Sequence, residues 1–281
     1  MGRYGFHVSI AGGIPLAVAR AEELGCTTMQ VFSHSPRSWR LTDISSADAE
    51  AFKAARSKSN ITPLFVHTSY LINLASASDA LYEKSIDALR TEMLRADVLG
   101  AEYVVTHLGS ASGSLPKDAM SRVAAGIGRT LRGLKVGSRL LLENTAGESG
   151  DVGSRFEDIA WIMENSGIKD LGVAFDTCHG FGAGYDLKHK KGLDEAIEAM
   201  DASFGLENVR LIHLNDSKYP LGSHKDRHEH IGKGMLGRAA FRMILNHPRL
   251  RDLPFVMETP KTGPDDDARN MSVVKTLIKS A

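Results

Sequence analysis

The sequence predicts an α/β protein folded as one TIM, or (β/α)8, barrel, with a single domain over residues 1–281. Three observations support this prediction. Eight short apolar runs alternate with longer segments of helical periodicity. A chain of 281 residues is long enough for one such barrel. Side chains that commonly bind metals recur at or just past the ends of the apolar runs, where the strands of a barrel would open onto its mouth.

The predicted strands are short runs that are mostly apolar on both faces. This pattern is typical of parallel strands that are buried on both sides. They are Gly5–Ile10, Thr28–Phe32, Pro63–His67, Tyr103–His107, Arg139–Glu143, Gly172–Asp176, Val209–Leu214 and Pro254–Glu258.

Helices are predicted where apolar residues recur three and four positions apart. The clearest segments are Ala47–Lys58, Ser78–Leu99, Ala119–Leu134, Ser154–Asn165 and Gly192–Phe204. Ser78 and Ser154 are of a type that often caps the amino end of a helix. Together with the strands, these segments indicate eight βα units, and hence a closed barrel.

Composition is ordinary for a globular protein, with 42% hydrophobic and 24% charged residues. Lys plus Arg and Asp plus Glu both number 34, so bulk charge does not point to a nucleic acid or a membrane. The two cysteines, Cys26 and Cys178, form neither a disulfide framework nor a zinc quartet. No secretion signal or membrane span is recognised in the sequence, so we expect a cytoplasmic protein without a membrane partner.

Nine side chains are candidate metal ligands. They are His67, His107, Glu143, Asp176, His179, His213, Asp226, His228 and Glu258. His67 and His107 are about 40 residues apart, and the steps onward to Glu143, Asp176 and His213 are each roughly 33 to 37, the length of one βα unit. Each of these ligands therefore occupies the same place in its own unit, and the barrel topology brings them together at the mouth.

Two segments carry pairs of candidate ligands. In FDTCHG, Asp176 and His179 could serve one ion or two adjacent ions. In HKDRHEH, Asp226 and His228 are two positions apart, on one side of an extended segment. This second pair lies in Lys218–Gly234, the longest irregular segment, and loops of that length are usually functional or disordered.

Simpler interpretations exist for each residue alone. A histidine at a strand end is more often hydrogen-bonded in the core than bound to metal, and Asp226 with His228 would also suit a solvated loop. The recurrence at five strand ends and in two pairs argues for a metal centre. His7 is either structural or close to the substrate, and Asn215 and Asp216 are candidates to orient neighbouring ligands.

Nine short segments, taken together, resemble the apurinic/apyrimidinic endonucleases of the endonuclease IV family. The similarity is collinear over nearly the whole chain, and it rests on the order and spacing of these segments. They are GFHVSIAGG (5–13), PRSW (36–39), HTSYLINLAS (67–76), THLGS (106–110), LENTAG (142–147), FDTCHGFGAGYD (175–186), HLNDSK (213–218), DRHEHIGKG (226–234) and METP (257–260).

The resemblance implies a zinc-dependent phosphodiesterase of the deoxyribonuclease IV, phage-T4-induced type, with three Zn²⁺ per chain and Mn²⁺ as an alternative ion. His67, His107 and Glu143 would hold the first ion. Glu143 would bridge to a second, with Asp176, His213 and Glu258, and a third would take His179, Asp226 and His228. Glu143 and Glu258 are the predicted catalytic residues. Cleavage would fall 5′ to an abasic site, leaving a 3′-hydroxyl and a 5′-deoxyribose phosphate.

The resemblance also implies a monomer that binds duplex DNA containing abasic sites. Arg37, Trp39, Tyr70 and Leu71 match loops that enter the minor groove and fill the gap at the missing base. The alternative for Trp39 and Tyr70 is that they only cap the barrel.

Two other functions remain open from the sequence. Sugar isomerases and epimerases share this barrel and use histidines and carboxylates on one or two divalent ions. A third ligand group argues against them. A non-catalytic binder of DNA lesions is the other alternative, and a complete set of ligands argues against that.

Overall fold

A computed structural model describes residues 2–111, 113 and 115–278. Its main feature is a sheet of eight parallel strands, which confirms the predicted TIM barrel. The strands of this sheet are β1 (Arg3–Phe6), β2 (Met29–Phe32), β3 (Leu64–His67), β4 (Tyr103–Thr106), β5 (Arg139–Glu143), β6 (Leu171–Asp176), β7 (Val209–His213) and β10 (Pro254–Met257). Two further short strands, β8 (Asp216–Ser217) and β9 (His228–Glu229), form an antiparallel pair above it.

The sheet runs in the order β1, β10, β7, β6, β5, β4, β3, β2. Its two edges meet through a parallel bridge between His7 and Gln30 and a hydrogen bond from the Val8 N–H to the Gln30 carbonyl at 2.7 Å. These contacts close the barrel.

Helices follow the strands, and most of them cover the outside of the barrel, whereas α6 lies at its mouth. In the described part of the chain they are α1 (Leu16–Glu23), α2 (Ser46–Ser57), α3 (Asp79–Leu99), α4 (Pro116–Leu131), α5 (Phe156–Asn165), α6 (Thr177–Ala183), α7 (Lys190–Phe204), α8 (Gly237–Asn246) and α9 (Asp266–Leu277). None of these helices combines the length and the apolar character needed to cross a membrane.

The predicted bounds agree with the structure to within three residues, except at the end of the first strand. The first strand is predicted at Gly5–Ile10 but spans Arg3–Phe6, because its ladder with β10 ends at the pair Phe6 and Met257 and His7 makes only an isolated bridge to Gln30. Ser78 caps α3 as predicted, accepting a hydrogen bond from the Leu81 N–H at 3.5 Å. Ser154 does not cap α5, which begins two residues later at Phe156.

The strands separate two apolar layers. A large cluster fills the space between strands and helices, and it includes Val66, Val104 and Leu142. A small cluster of alternating strand residues fills the barrel interior. Its members are Phe65, Val105, Leu141, Ala174, Leu211 and Val256, with Tyr103 packed against them. The lower part of the barrel is therefore a packed apolar plug.

Candidate metal centre

The candidate ligands lie directly above the apolar plug. On six strands the residue two positions after a plug residue is a histidine or a carboxylate, which places both on the same face of the strand. The pairs are Phe65 with His67, Val105 with His107, Leu141 with Glu143, Ala174 with Asp176, Leu211 with His213, and Val256 with Glu258. A layer of candidate metal ligands therefore lies one pleat above the apolar layer.

The first group contains His67, His107 and Glu143. The Glu143 Oε2 atom lies 3.1 Å from His67 Nε2 and 3.7 Å from His107 Nε2. Glu143 and His67 are buried, whereas the His107 side chain is 30% exposed toward the mouth. The group is therefore anchored in the barrel and open on one side.

The second group shares Glu143 and adds Asp176, His213 and Glu258. His213 Nδ1 is 2.9 Å from Glu143 Oε1, 3.7 Å from Glu258 Oε2 and 3.9 Å from Asp176 Oδ2. Three carboxylates thus surround one imidazole nitrogen. Because Glu143 presents one oxygen to each group, it is placed to bridge two ions.

The third group contains His179, Asp226 and His228. Asp226 Oδ1 lies 3.2 Å from His179 Nε2 and 3.3 Å from His228 Nε2. His179 stands on α6, which begins because the Asp176 carboxylate accepts the His179 N–H at 2.9 Å. His228 stands on β9, next to the loop residue Asp226. All nine candidate ligands therefore lie in three adjoining groups at the barrel mouth, and Cys178 with Asp176 and His228 forms a fourth group that overlaps them.

Four of the five histidines have one ring nitrogen hydrogen-bonded away from the groups. In three of them Nδ1 donates to a backbone carbonyl. His67 donates to Thr68 at 2.8 Å, His179 to Asn144 at 2.9 Å, and His228 to Glu258 at 3.0 Å. His213 instead uses Nε2, 2.9 Å from Gln30 Oε1. These bonds fix the ring tautomer and direct the other nitrogen into the groups, as in protein metal sites.

A divalent ion fits this arrangement. The Nε2 atoms of His179 and His228 are buried, yet among the described residues neither has a partner with hydrogen-bond geometry, although Asp226 is close to both. Buried polar atoms are normally satisfied, so two ring nitrogens that converge on one carboxylate fit a shared cation between them. The mixed imidazole and carboxylate donors suit zinc, manganese or iron.

The electrostatics of the mouth also favour bound positive charge. Burial alone would lower the pKa of His213, but Glu258 and Glu143 raise it to about 9. Burial would also lower the pKa of His228, but Asp176 and Asp226 raise it to about 9. For Asp226 and Glu258, burial alone would raise the pKa, and the neighbouring histidines lower it below the usual range. Attraction between opposite charges therefore outweighs burial at these four groups.

Asparagines hold the ligands of the second group. Asn215 donates from Nδ2 to Asp176 Oδ2 at 2.7 Å and accepts the Glu258 N–H at 2.8 Å. Asn144 accepts the Asp176 N–H at 2.7 Å. Asn215 therefore contacts two candidate ligands, which agrees with the prediction that it orients its neighbours.

Asp216 organises a loop and does not contact a ligand side chain within hydrogen-bond distance in the described structure. Its buried carboxylate accepts backbone N–H groups from Ser217 (2.8 Å), Gly232 (2.9 Å), Gly234 (2.9 Å), Leu236 (3.0 Å) and Gly237 (3.3 Å). It thereby fixes the chain on both sides of the pair formed by β8 and β9. The predicted irregular segment Lys218–Gly234 is thus tied down at its ends.

Glu148 fastens the same loop from the other side. Its carboxylate accepts from Lys225 Nζ at 2.9 Å, the Asp226 N–H at 3.3 Å and Arg227 at 3.3 Å. These contacts hold the backbone that carries Asp226. Sequence analysis did not identify Glu148, because its partners lie more than 70 residues away along the chain.

Gln30 is a second residue that sequence analysis missed. It is fully buried, and its Nε2 atom donates to Glu258 Oε1 at 2.6 Å while its Oε1 atom lies 2.9 Å from His213 Nε2. His7 Nδ1 lies 2.9 Å from the same amide. The only sequence signal is a polar side chain inside the apolar run Thr28–Phe32.

The predicted DNA-contacting residues lie at the rim of the mouth. Arg37 and Tyr70 line a cleft of about 850 Å³ together with His228 and Glu258. Tyr70 is 57% exposed and stands edge-on to Phe32, with ring centroids 5.4 Å apart. An exposed cation and an aromatic ring thus border the metal-binding groups.

Trp39 and Leu71 are placed differently from Arg37 and Tyr70. Both are half-buried, and neither is among the described residues that line the cleft. Lys84 Nζ lies over the Trp39 ring, 4.3 Å from its centroid, so the Trp39 side chain packs against α3. This packing agrees with the alternative in which Trp39 supports the barrel rim.

Comparisons with known proteins show the fold and the family of the chain. The family profile described as Xylose isomerase-like TIM barrel matches residues 18–277. The chain is 45% identical over 281 residues to a probable endonuclease 4 of Methanosphaerula palustris, covering 99% of this chain and 98% of that protein. The crystal structure of endonuclease IV from Thermus thermophilus is similar with a TM-score of 0.88 and 43% identity, covering 98% of each chain. A D-tagatose 3-epimerase-like protein, at 17% identity and a TM-score of 0.71 over 98% of this chain and 96% of that one, shares the fold.

Proposed function

The chain belongs to the endonuclease IV family, and we propose that it hydrolyses DNA on the 5′ side of abasic sites in duplex DNA, leaving a 3′-hydroxyl and a 5′-deoxyribose phosphate. The observation that carries the proposal is the meeting of nine histidine and carboxylate side chains in three adjoining groups at one barrel mouth. The relatives are endonucleases, and the groups supply the chemistry that phosphodiester hydrolysis needs.

We propose three Zn²⁺ per chain, one for each group, with Mn²⁺ as a substitute. His67 and His107 would hold one ion, and Glu143 would connect it to a second held by Asp176, His213 and Glu258. His179, Asp226 and His228 would hold the third. Zinc is favoured because each group mixes imidazole nitrogen with carboxylate oxygen.

Bound divalent ions would lower the pKa of water and neutralise charge on the reacting phosphate. Glu143 and Glu258 are the proposed catalytic residues, because each lines the second group and holds its position through further hydrogen bonds. A nucleophilic side chain is not required. Burial raises the pKa of the Cys178 thiol to about 12, which disfavours the thiolate that a nucleophile would require.

Metal binding would also give a neutral protein a local attraction for DNA. The carboxylates of Glu143, Asp176, Asp226 and Glu258 are the acidic members of the three groups. Three divalent ions would exceed their charge by about two positive units, concentrated at the mouth. This excess would draw the phosphate backbone toward the site.

For DNA recognition we propose Arg37, Trp39, Tyr70 and Leu71. Arg37 and Tyr70 line the cleft beside Glu258, where they can reach the backbone and the gap left by a missing base. Trp39 would act mainly by supporting the loop, given its contact with Lys84. Leu71 would follow Tyr70 into the groove. We further propose a cytoplasmic monomer whose single domain extends over residues 1–281.

A sugar isomerase or epimerase is the alternative on the same fold. The first two groups alone would suit such an enzyme. The third group is the distinguishing feature, because it adds a complete set of donors beside the other two. The epimerase-like neighbour shares the fold at an identity too low to carry function.

The deciding experiment is incision of a duplex that carries one tetrahydrofuran abasic analogue, which cannot undergo β-elimination. Wild type is compared with Glu258→Ala and with Glu229→Ala, a nearby carboxylate outside the three groups. We expect cutting 5′ to the analogue by wild type and Glu229→Ala, an extendable 3′-hydroxyl, and loss of cutting in Glu258→Ala. Failure of the zinc-loaded wild type to cut would reject the proposal, and a content of one or two ions per chain would favour the isomerase.

A further inference from the structure

The segment 33–42, called here the recognition loop, carries Arg37 and Trp39 and is closed at its base by one side chain of α3. Arg95 donates from Nε to Ser33 Oγ at 2.8 Å and from one terminal nitrogen to the Ser33 carbonyl at 2.6 Å. Its other terminal nitrogen donates to the Thr42 carbonyl at 2.9 Å. A single planar guanidinium therefore joins the two ends of the loop.

Glu92, one helical turn before Arg95, grips the same end of the loop. It is 2% exposed, and its two oxygens contact His34 Nε2 at 2.8 Å and the Ser33 hydroxyl at 2.7 Å. The Ser33 hydroxyl donates to Glu92 and accepts from Arg95, which links the two side chains. A buried carboxylate is costly unless such partners satisfy it, so Glu92 strongly constrains the backbone at 33 and 34.

The recognition loop is also coupled to the next loop of the mouth. The Pro36 carbonyl accepts from the Ser69 hydroxyl at 2.8 Å and from the Tyr70 N–H at 3.2 Å. Arg37 and Tyr70, which line one cleft, are thereby held as a unit. The position of both depends on where the base of the recognition loop is fixed.

We propose that Arg95 and Glu92 are positioning residues for DNA binding, holding the recognition loop in its DNA-competent shape before DNA arrives. This inference rests on the proposed function. A loop that is already ordered loses less conformational freedom on binding, which strengthens association without a new contact. Neither residue belongs to the three metal-binding groups, so the effect falls on DNA binding and leaves the metal centre intact.

The test uses full-length, zinc-loaded protein with Arg95→Ala, Arg95→Lys and Glu92→Gln. Arg90→Ala is the matched control, because Arg90 lies on the same helix and donates to the Thr130 carbonyl at 2.8 Å, away from the loop. Two properties are measured: the rate of tryptic cleavage after Arg37 and Arg40 without DNA, and Kd and kcat on the tetrahydrofuran duplex. Zinc content is determined for each variant.

Arg95→Ala should speed cleavage of the loop and weaken DNA binding by about ten-fold, with kcat and zinc content close to wild type. Arg95→Lys should show the same change, since a single ammonium cannot join Ser33 and Thr42 as the guanidinium does. Glu92→Gln replaces one of the two oxygens that contact Ser33 and His34, so it should show a smaller change in the same direction. Arg90→Ala should behave as wild type.

Unchanged loop cleavage in both Arg95 variants would overturn the proposal, as would a parallel loss of zinc and kcat. The tryptic cleavage assay contains no DNA, so it reports how firmly Arg95 and Glu92 hold the recognition loop even if the zinc-loaded wild type fails to cut the duplex. In that case the proposed function fails separately.

Discussion

Two parts of the candidate metal centre are built in different ways. Six candidate ligands stand at or directly after the ends of barrel strands, whereas His179, Asp226 and His228 stand on a short helix, a loop and a two-residue strand. A strand-borne ligand is held by backbone ladders and by the apolar plug residue two positions before it. The loop-borne group depends on side chains such as Asp216 and Glu148. The barrel therefore supplies two groups as part of its fold, and the third requires its own supports.

The largest loss of zinc and activity is expected at Glu143, because this residue belongs to both the first and the second group. Glu143→Ala removes the carboxylate that contacts His67 and His213, at 3.1 and 2.9 Å. We expect zinc content to fall by two ions per chain and incision to drop on the order of 10³-fold or more. Metal analysis and single-turnover incision measure these changes.

Glu102→Gln is the control for that change, because Glu102 lies at the opposite end of the barrel and accepts the Leu64 N–H at 2.8 Å. It should keep both zinc and activity. If Glu143→Ala retained three ions, the strand-borne part would not depend on a shared carboxylate, and the comparison would fail.

A smaller and more selective effect is expected at Asp216. Asp216→Asn replaces one of the two accepting oxygens by an NH2 group, so at least two of the five backbone N–H groups lose their acceptor whichever way the amide turns. We expect about one zinc per chain to be lost, from the loop-borne group, and a 10- to 100-fold drop in incision. Asp266→Asn makes the same change at a buried carboxylate that holds the turn at Thr262 and Gly263, and it should leave the zinc content unchanged. Loss of all three ions from Asp216→Asn would show that the two parts are not independent.

The smallest effect is expected at Glu148. Its partners Lys225 and Arg227 are largely exposed, and exposed ion pairs contribute little. Glu148→Gln should therefore reduce incision by only about two- to three-fold. Because salt screens exposed ion pairs, raising the salt concentration should reduce the incision rate of wild type more than that of the variant. An effect as large as that of Asp216→Asn would mean that the ion pairs are a main support of the loop.

The same contrast explains what could be predicted from the sequence. The strand-borne ligands follow the length of a βα unit, so spacing alone located His67, His107, Glu143, Asp176 and His213 at one mouth. The spacing within HKDRHEH paired Asp226 with His228, but the assignment of this pair and His179 to one third ion came from the family resemblance. The structure brings all of these residues together, in the predicted groups.

Other features gave little or no local signal. Helix α6 contains Gly180 and Gly182, which disfavour a helix, and it depends on the cap supplied by Asp176. Gln30, Glu148 and the pair Glu92 and Arg95 act through partners on distant segments. Only tertiary structure shows that these side chains meet.

The apolar plug beneath the ligands has a consequence for traffic to the site. Since Phe65, Leu141 and Leu211 are fully buried directly below the ligand layer, the described structure leaves the mouth as the route for water and ions. A DNA duplex lying across the mouth would cover that same route. Bound DNA would then slow the dissociation of any metal ions held there, and chelators would reach them only after the DNA dissociates.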